Sequence, residues 1–232
     1  MRHRTLFWKI LLLAALAFSL ASCAPVMRTK HPSADGVARD HDSCAPLAGA
    51  SVTYESTGET VTVGADGTFF FPGENYWEVV FIPAEAPLMH GSIRVEKAGY
   101  CPRRFHMTGL GGNPGNRWGD ITASLLPDSH LYCRTARALK ASLDRGERAE
   151  GWIAVMQTMR GEGLTREGAY VTLKVYEEEL FAPRWGDGEF YREYAVFRET
   201  LFRGTAVWPG DVPEERLLDL AWFAWRNHCL GR

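Results

Sequence analysis

Residues 60–71 have the sequence TVTVGADGTFFF, in which two runs of β-forming residues flank the turn-forming segment Gly64-Ala-Asp-Gly67. An Asp-Gly pair between two such runs is typical of a β-hairpin. Comparable short runs occur on both sides of it, at 46–52, 77–82, 92–96, 103–108 and 120–125. About seven short strands at this spacing predict an antiparallel β-sandwich.

The motifs within these runs resemble a known family. The matching segments are Pro46-Leu-Ala-Gly-Ala-Ser-Val52, Asp66-Gly-Thr-Phe-Phe-Phe71, and Ile93-Arg-Val95 followed by Gly99-Tyr100. They resemble the carboxypeptidase regulatory-like domain, a transthyretin-like β-sandwich, over residues 45–126. In that family the domain is generally a non-catalytic accessory module, often of exported proteins. The resemblance therefore implies a binding or scaffolding role and supplies no catalytic residue.

Beyond Pro127 the apolar period changes from two to 3.6 residues, which indicates helices. Asp128 or Ser129 is expected to cap the first one, and four more stripes follow at 152–159, 169–180, 190–201 and 217–229. The last stripe is apolar around most of its circumference, so this helix is predicted to be central and buried. The expected fold class is α+β, with an antiparallel β-sandwich at 44–127 and a small α-helical domain at 128–232.

Residues 1–22 have the pattern of a signal peptide. Three basic residues, Arg2, Arg4 and Lys9, precede an apolar run at 10–20 that is too short to span a membrane. The following Leu20-Ala-Ser-Cys23 looks like a bacterial lipobox, so the Cys23 thiol is expected to receive a diacylglyceryl group after cleavage. The alternative is ordinary signal cleavage nearby, with Cys23 a simple thiol of the precursor; cleavage after Ala24 would leave an unfavourable Pro25 behind the cut.

A lipidated Cys23 predicts a location and an anchor. Two or three acyl chains hold a protein stably on a membrane, whereas one does so marginally. Ala24 stands where inner-membrane lipoproteins usually carry Asp, so the periplasmic face of the outer membrane is expected if the organism is Gram-negative. Residues 23–43 show no apolar period, and their prolines and charges predict a flexible tether that holds the folded part about 25 Å from the anchor.

The charge of the chain argues against one class of partner. The full sequence has 26 basic and 28 acidic residues. Without the three basic residues of the signal peptide, 23 basic groups face 28 acidic ones, a net charge of about −5. A mildly acidic protein has no electrostatic reason to bind nucleic acid.

Four cysteines remain besides Cys23, and an even number in an exported chain favours two disulfides. Three pairings are open, of which Cys44 with Cys101 and Cys133 with Cys229 is favoured. The alternative is a set of buried, reduced thiols. A metal site is less well supported, because no two of these cysteines have zinc-motif spacing.

Motifs of catalysis are absent from the sequence. It contains no nucleophile elbow, phosphate loop, dinucleotide fingerprint or HExxH motif, and no cofactor is expected. The acidic run Glu177-Glu-Glu179 is expected to be a solvated helix face. Among the eight tryptophans, Trp222 and Trp225 are expected in the core, whereas three others are weak candidates for a binding surface: Trp77, Trp118 and Trp185.

Three functional hypotheses follow. The first is a membrane-anchored, non-catalytic envelope protein that binds a protein or a glycan. The second is an envelope enzyme with a site in the helical domain or at the domain junction, assembled from acids such as Glu162, Glu167 and Asp187. The third is a periplasmic inhibitor or immunity lipoprotein.

Overall fold

The computed structural model describes residues 23–81, 88–110, 117–181, 184, 186–210 and 215–229. Within these ranges the chain is α+β, with nine strands followed by five helices. No helix in the described ranges has the length and apolar character needed to cross a membrane. The signal peptide predicted at 1–22 lies outside the described residues.

The strand bounds are β1 Cys23–His31, β2 Ser33–Asp40, β3 Ser51–Tyr54, β4 Glu59–Thr62, β5 Thr68–Phe71, β6 Glu74–Phe81, β7 Leu88–Glu96, β8 Arg103–Leu110 and β9 Arg117–Leu125. These strands form three sheets. One pairs β1 with β6, the second has the order β5-β2-β9, and the third has the order β4-β3-β7-β8. Strand β3 pairs antiparallel with both β4 and β7, so Val52 lies between Val61 and Val95.

Alternate residues of these strands are buried, as the sequence pattern predicts. In β5 the side chains of Phe69 and Phe71 are buried while their neighbours are exposed. In β7 Ile93 and Val95 are buried in the same way. Because successive side chains of a strand point to opposite faces, each of these strands has one face that is more deeply buried than the other.

The segment 64–67 forms a turn but not the predicted hairpin. It joins β4 and β5, which belong to different sheets. The backbone N–H of Ala38, in β2, donates to the carbonyl oxygen of Gly67 at 2.8 Å, so the turn lies against β2. Strand β5 therefore does not pair with β4. Gly67 has φ +85° and lies close to the Ala38 carbonyl oxygen, which requires glycine there. The pairing is set by this non-local contact.

The tether predicted at 23–43 is wrong, because most of it is strand. Strand β1 pairs with β6, and β2 is the middle strand of its sheet. Ala34 and Ala38 are fully buried in β2, and Gly36 lies between them. A Cβ at Gly36 would collide with the Ile121 carbonyl oxygen. The backbones approach so closely that only small residues fit, and small residues give no visible hydrophobic alternation.

Five helices follow the strands, with bounds α1 Leu131–Asp144, α2 Ala149–Gly161, α3 Arg166–Leu180, α4 Gly188–Phe202 and α5 Glu215–Arg226. The cap of α1 is His130, whose Nδ1 accepts from the Tyr132 backbone N–H at 3.1 Å; the predicted caps Asp128 and Ser129 are one or two residues too early. Thr165 caps α3 by accepting from the Gly168 N–H at 3.0 Å. Buried residues of all five helices belong to one hydrophobic core.

Two disulfides are present, as predicted, but their pairing differs from the favoured one. Cys44 pairs with Cys229, with 5.4 Å between Cα atoms, and Cys101 pairs with Cys133 at 5.9 Å. The cause lies in backbone contacts of the strands. The Cys101 N–H donates to the Leu126 carbonyl oxygen at 2.9 Å, which brings Cys101 to the end of β9, just before α1 begins.

The chain divides into two compact units. The first contains residues 1–35, 70–91 and 107–119, and the second contains 36–69, 92–106 and 120–232. The second unit includes strands and all five helices. This division differs from the boundary predicted between residues 127 and 128.

Candidate functional site: a helix face and an adjoining cleft

Helix α5 lies at the surface, so the prediction of a central, buried helix is wrong. Its only buried residue is Leu218. On the same side, Trp222 and Trp225, which the sequence predicts to be in the core, are only half-buried against the helical core. Apolar residues around the rest of the circumference do not reach the core, because the helix has neighbours on one side only among the described residues.

The exposed side of α5 carries a row of large apolar residues, which we call the α5 outer face. Leu217, Leu220 and Phe223 have 53%, 54% and 55% of their surface exposed. They recur every third residue, so neighbours in the row are about 4.5 Å apart along the helix axis. Single exposed leucines are common, but a contiguous apolar row of this kind marks an interaction surface.

Arg103 of β8 and His41, in the turn after β2, contact the inner side of α5. The Trp225 ring stacks on the His41 ring, with 4.3 Å between centroids and an interplanar angle of 16°. The Arg103 guanidinium lies 5.2 Å from the Trp225 centroid. Just beyond the helix, the Cys44–Cys229 disulfide ties the chain to the end of β2. The outer face is therefore preorganised, which lowers the entropy lost on binding.

A cleft of about 460 Å³ lies between α3, α4 and α5, within the range of small-molecule and peptide pockets. Aromatic residues and arginines dominate its lining. Its lining residues are Tyr170, Tyr191, Tyr194, Ala195, Arg198, Glu199, Phe202, Arg203, Glu215 and Leu218. Glu215 and Leu218 belong to α5, so the cleft adjoins this helix.

The tyrosines of the cleft are hydrogen-bond donors at neutral pH. The Tyr170 hydroxyl donates to Asp219 Oδ1 at 2.6 Å. Burial and this hydrogen bond raise the Tyr170 pKa well above its usual range. Burial, with the nearby Glu177 carboxylate, raises the Tyr194 pKa in the same direction. Both phenols keep their protons, so neither serves as a general base.

The cationic side chains of the cleft lie on or beside these rings. The Arg198 guanidinium is 5.9 Å from the Tyr194 centroid, close enough for a cation–π contact. Arg203 pairs with Glu199 at 3.4 Å on the exposed side of α4. Tyrosine and arginine are the residue types enriched at energetically dominant positions of protein interfaces.

Two of the tryptophans predicted from the sequence to bind, Trp77 and Trp118, are not among the described residues that line this cleft. Trp77 is 67% exposed on β6, and Trp118 is half-buried on β9, which belongs to a different sheet. Trp185 lies outside the described residues. Cys23 is the first residue of β1.

The acids proposed for an enzyme have separate structural roles. Glu162 forms an ion pair with Arg134. Asp187 caps α4 by accepting from two backbone N–H groups, those of Glu189 and Phe190. Glu167 lies in the first turn of α3, where it complements the helix dipole. No described contact joins the three acids.

The acidic run of α3 is not the solvated face that the sequence predicts. Glu179 lies 3.5 Å from Arg94, and its side chain is only 13% exposed. Burial raises the Glu178 pKa. The Tyr194 hydroxyl donates to Glu177 Oε1 at 3.4 Å. Strand arginines and a tyrosine of α4 thus cover these carboxylates, a neighbourhood that no local pattern could reveal.

Two groups of potential metal ligands occur in the described residues: Cys44 with His228 and Cys229, and Cys101 with Asp128 and Cys133. In each group the two sulfur atoms are bonded to one another. A disulfide does not provide the thiolates that metals bind. Both groups therefore serve as cross-links in this structure.

No protein-family model and no curated protein matches the chain. Among solved structures, it is similar to a chain from a type II cohesin–X-dockerin complex of Acetivibrio cellulolyticus, a C-terminal interface mutant. The similarity has 16% sequence identity and a TM-score of 0.25, and covers 41% of this chain and 56% of that one. The chain therefore spans little more than half the length of this structure.

Proposed function

We propose that the protein is a lipid-anchored lipoprotein of the cell envelope that binds a partner protein through the α5 outer face and the adjoining cleft, without catalysing a reaction. The single observation that carries the binding role is the exposed row Leu217, Leu220 and Phe223. Rows of this kind are the anchors of helix-in-groove recognition. The arginine and tyrosine side chains of the cleft supply polar contacts at the edge of this apolar row.

A protein partner fits this surface better than a glycan. Leucine side chains offer no hydrogen bonds to sugar hydroxyls, whereas they pack well into an apolar groove.

Two features support the envelope location. The segment at 1–22 and Leu20-Ala-Ser-Cys23 have the pattern of a lipoprotein signal. Two disulfides are characteristic of an oxidising compartment. With Ala24 after the cysteine, we place the protein on the periplasmic face of the outer membrane if its source is Gram-negative.

For the strands between residues 44 and 127 we propose a transthyretin-like β-sandwich of the carboxypeptidase regulatory-like type. The one-sided burial of β3, β5 and β7 supports it. So does the turn at 64–67, which carries the chain from one sheet to another as sandwich connections do.

Site-specific photocrosslinking in intact producing cells tests the binding role. A photoreactive residue at Leu220 should give a discrete adduct, and the same residue at the exposed Glu150 of α2 is the matched control. Adding Leu220→Glu to a chain with the probe at Phe223 should reduce the adduct more than about tenfold, because burying an unpaired carboxylate costs several kcal/mol. The circular dichroism spectrum should not change, since Leu220 is exposed.

Two outcomes would contradict the binding role. One is equal adduct formation from Leu220 and Glu150. The other is an adduct that Leu220→Glu leaves unchanged. Differently tagged copies in the same cells show whether the adduct contains a second copy of this chain instead of a partner.

A further inference from the structure

The strands β1 and β6 form a two-stranded ribbon with one apolar face. In the antiparallel register Pro25 lies opposite Val79, and Met27 lies opposite Trp77. Residues directly opposite each other and residues two apart along a strand share a face. We call these four side chains the ribbon face. Trp77 and Val79 are 67% and 69% exposed, and Pro25 is exposed as well.

The opposite side of the ribbon is different. It carries Arg28, whose Nε lies 2.6 Å from Glu78 Oε2, and Tyr76 opposite Arg28. Arg28 is buried, whereas Tyr76 and the Glu78 side chain are 43% and 45% exposed, so this side presents a charged pair and a phenol. The ribbon is thus amphipathic: one side carries four apolar side chains, of which Trp77 and Val79 are more than two-thirds exposed, and the other side is mainly polar.

The position of Cys23 indicates what covers the ribbon face. Cys23 is the first residue of β1 and pairs with Phe81, so it is the next odd-numbered position on the strand that carries Pro25 and Met27. At about 3.3 Å per residue, Pro25 is about 7 Å and Met27 about 13 Å from it along the strand. No flexible tether separates the residue expected to carry lipid from the exposed Trp77 and Val79.

On the basis of the acylation at Cys23 proposed above, we propose that the ribbon face lies on the lipid bilayer, with Trp77 among the headgroups. Acyl chains that enter the membrane from position 23 bring the ribbon face to the bilayer surface. A folded partner of 100 residues is about 30 Å across, which exceeds the gap that such an anchor leaves. Tryptophan has an apolar ring and one N–H donor, and it is enriched at membrane interfaces for that reason.

Fluorescence quenching by brominated lipid tests this contact. The full chain is purified from cells that acylate lipoproteins and reconstituted in vesicles of phosphatidylethanolamine and phosphatidylglycerol. Part of the lipid carries bromine near the headgroup end of the acyl chains. The bromine-dependent quenching of the wild type should be mostly lost in Trp77→Phe. It should persist in Trp152→Phe, because Trp152 is buried in the helical core. Val79→Glu, which places a charge on the ribbon face, should weaken the quenching.

The mass of the Cys23 peptide separates failure of the contact from failure of the anchor. An acylated chain with equal quenching in the wild type and Trp77→Phe overturns the membrane contact and leaves the anchor intact. An unmodified Cys23 overturns both. A third outcome is that bromine does not quench Trp77, while its shielding from a water-soluble quencher increases with the density of protein on the vesicles. This outcome assigns the ribbon face to a second copy and overturns the membrane contact.

Discussion

Acid should destabilise the protein through His41. This residue is 8% exposed, with its ring stacked on Trp225 and 5.0 Å from the ring of His228. Burial is the main cause that lowers its pKa to about 4, and repulsion from His228 acts in the same direction. An unfolded histidine titrates near 6.5. The folded state therefore takes up the proton of His41 only at much lower pH than the unfolded state.

The sign and size of the effect follow from this difference. Above about pH 6.5 both states are neutral at this residue, and the stabilisation is complete. As the pH falls towards 4, the unfolded state binds a proton that the folded state does not, so the free energy of unfolding decreases. One pKa unit corresponds to about 1.4 kcal/mol, so the full loss is about 3 kcal/mol.

Urea unfolding at a series of pH values measures the effect. Carboxylates also titrate in this range, so the informative quantity is the difference between the wild type and His41→Phe, which retains a ring against Trp225. The variant should lose about 2 to 3 kcal/mol less than the wild type between neutral pH and about pH 4.5. The exposed His90 provides the control substitution, His90→Gln. Parallel pH profiles for the wild type and His41→Phe would refute the assignment.

Two further perturbations test the fold. Replacing both cysteines of the Cys44–Cys229 pair by serine opens a loop of 185 residues and should reduce the free energy of unfolding by about 5 kcal/mol. The same change in the Cys101–Cys133 pair, which are 32 residues apart, should reduce it by about 4 kcal/mol. Urea titration of the two double variants measures both losses, and a peptide map linking Cys44 to Cys101 would contradict the pairing. Gly36→Ala should destabilise the protein by about 1 to 3 kcal/mol, because the added Cβ would collide with the Ile121 carbonyl oxygen and lie 2.8 Å from the Phe69 ring. An unchanged melting temperature would contradict this close approach.

The sequence predicts strands well where large side chains alternate, as in Thr68–Phe71, where Phe69 and Phe71 are buried. It fails for β2, whose buried positions are the alanines Ala34 and Ala38, because such small side chains show little contrast with their neighbours. Turn chemistry predicts a reversal at 64–67 but not the partner of the next strand, because that partner is chosen by a contact with Ala38 far along the chain.

The candidate site was only partly accessible to sequence reasoning for a related reason. The apolar circumference of α5 is visible in the sequence, but a residue pattern does not say whether the second apolar side meets the protein core or a partner. Leu218 and Leu220 are the same residue type in the same apolar helix, yet Leu218 is buried and Leu220 is 54% exposed. Likewise, the tyrosine-lined cleft depends on three helices coming together, which no local spacing encodes.

The Cys44–Cys229 connection bears on biogenesis. A chain exported with its amino terminus first would present Cys44, Cys101 and Cys133 to the oxidising machinery long before Cys229 arrives. Bonds made strictly in order of arrival would join Cys44 to Cys101, whereas the structure joins Cys101 to Cys133. Correct maturation thus requires Cys44 to stay reduced until export is complete, or a wrong bond to be exchanged by thiol attack. If the chain is exported as proposed, its yield should therefore depend on a disulfide isomerase and not on the oxidase alone.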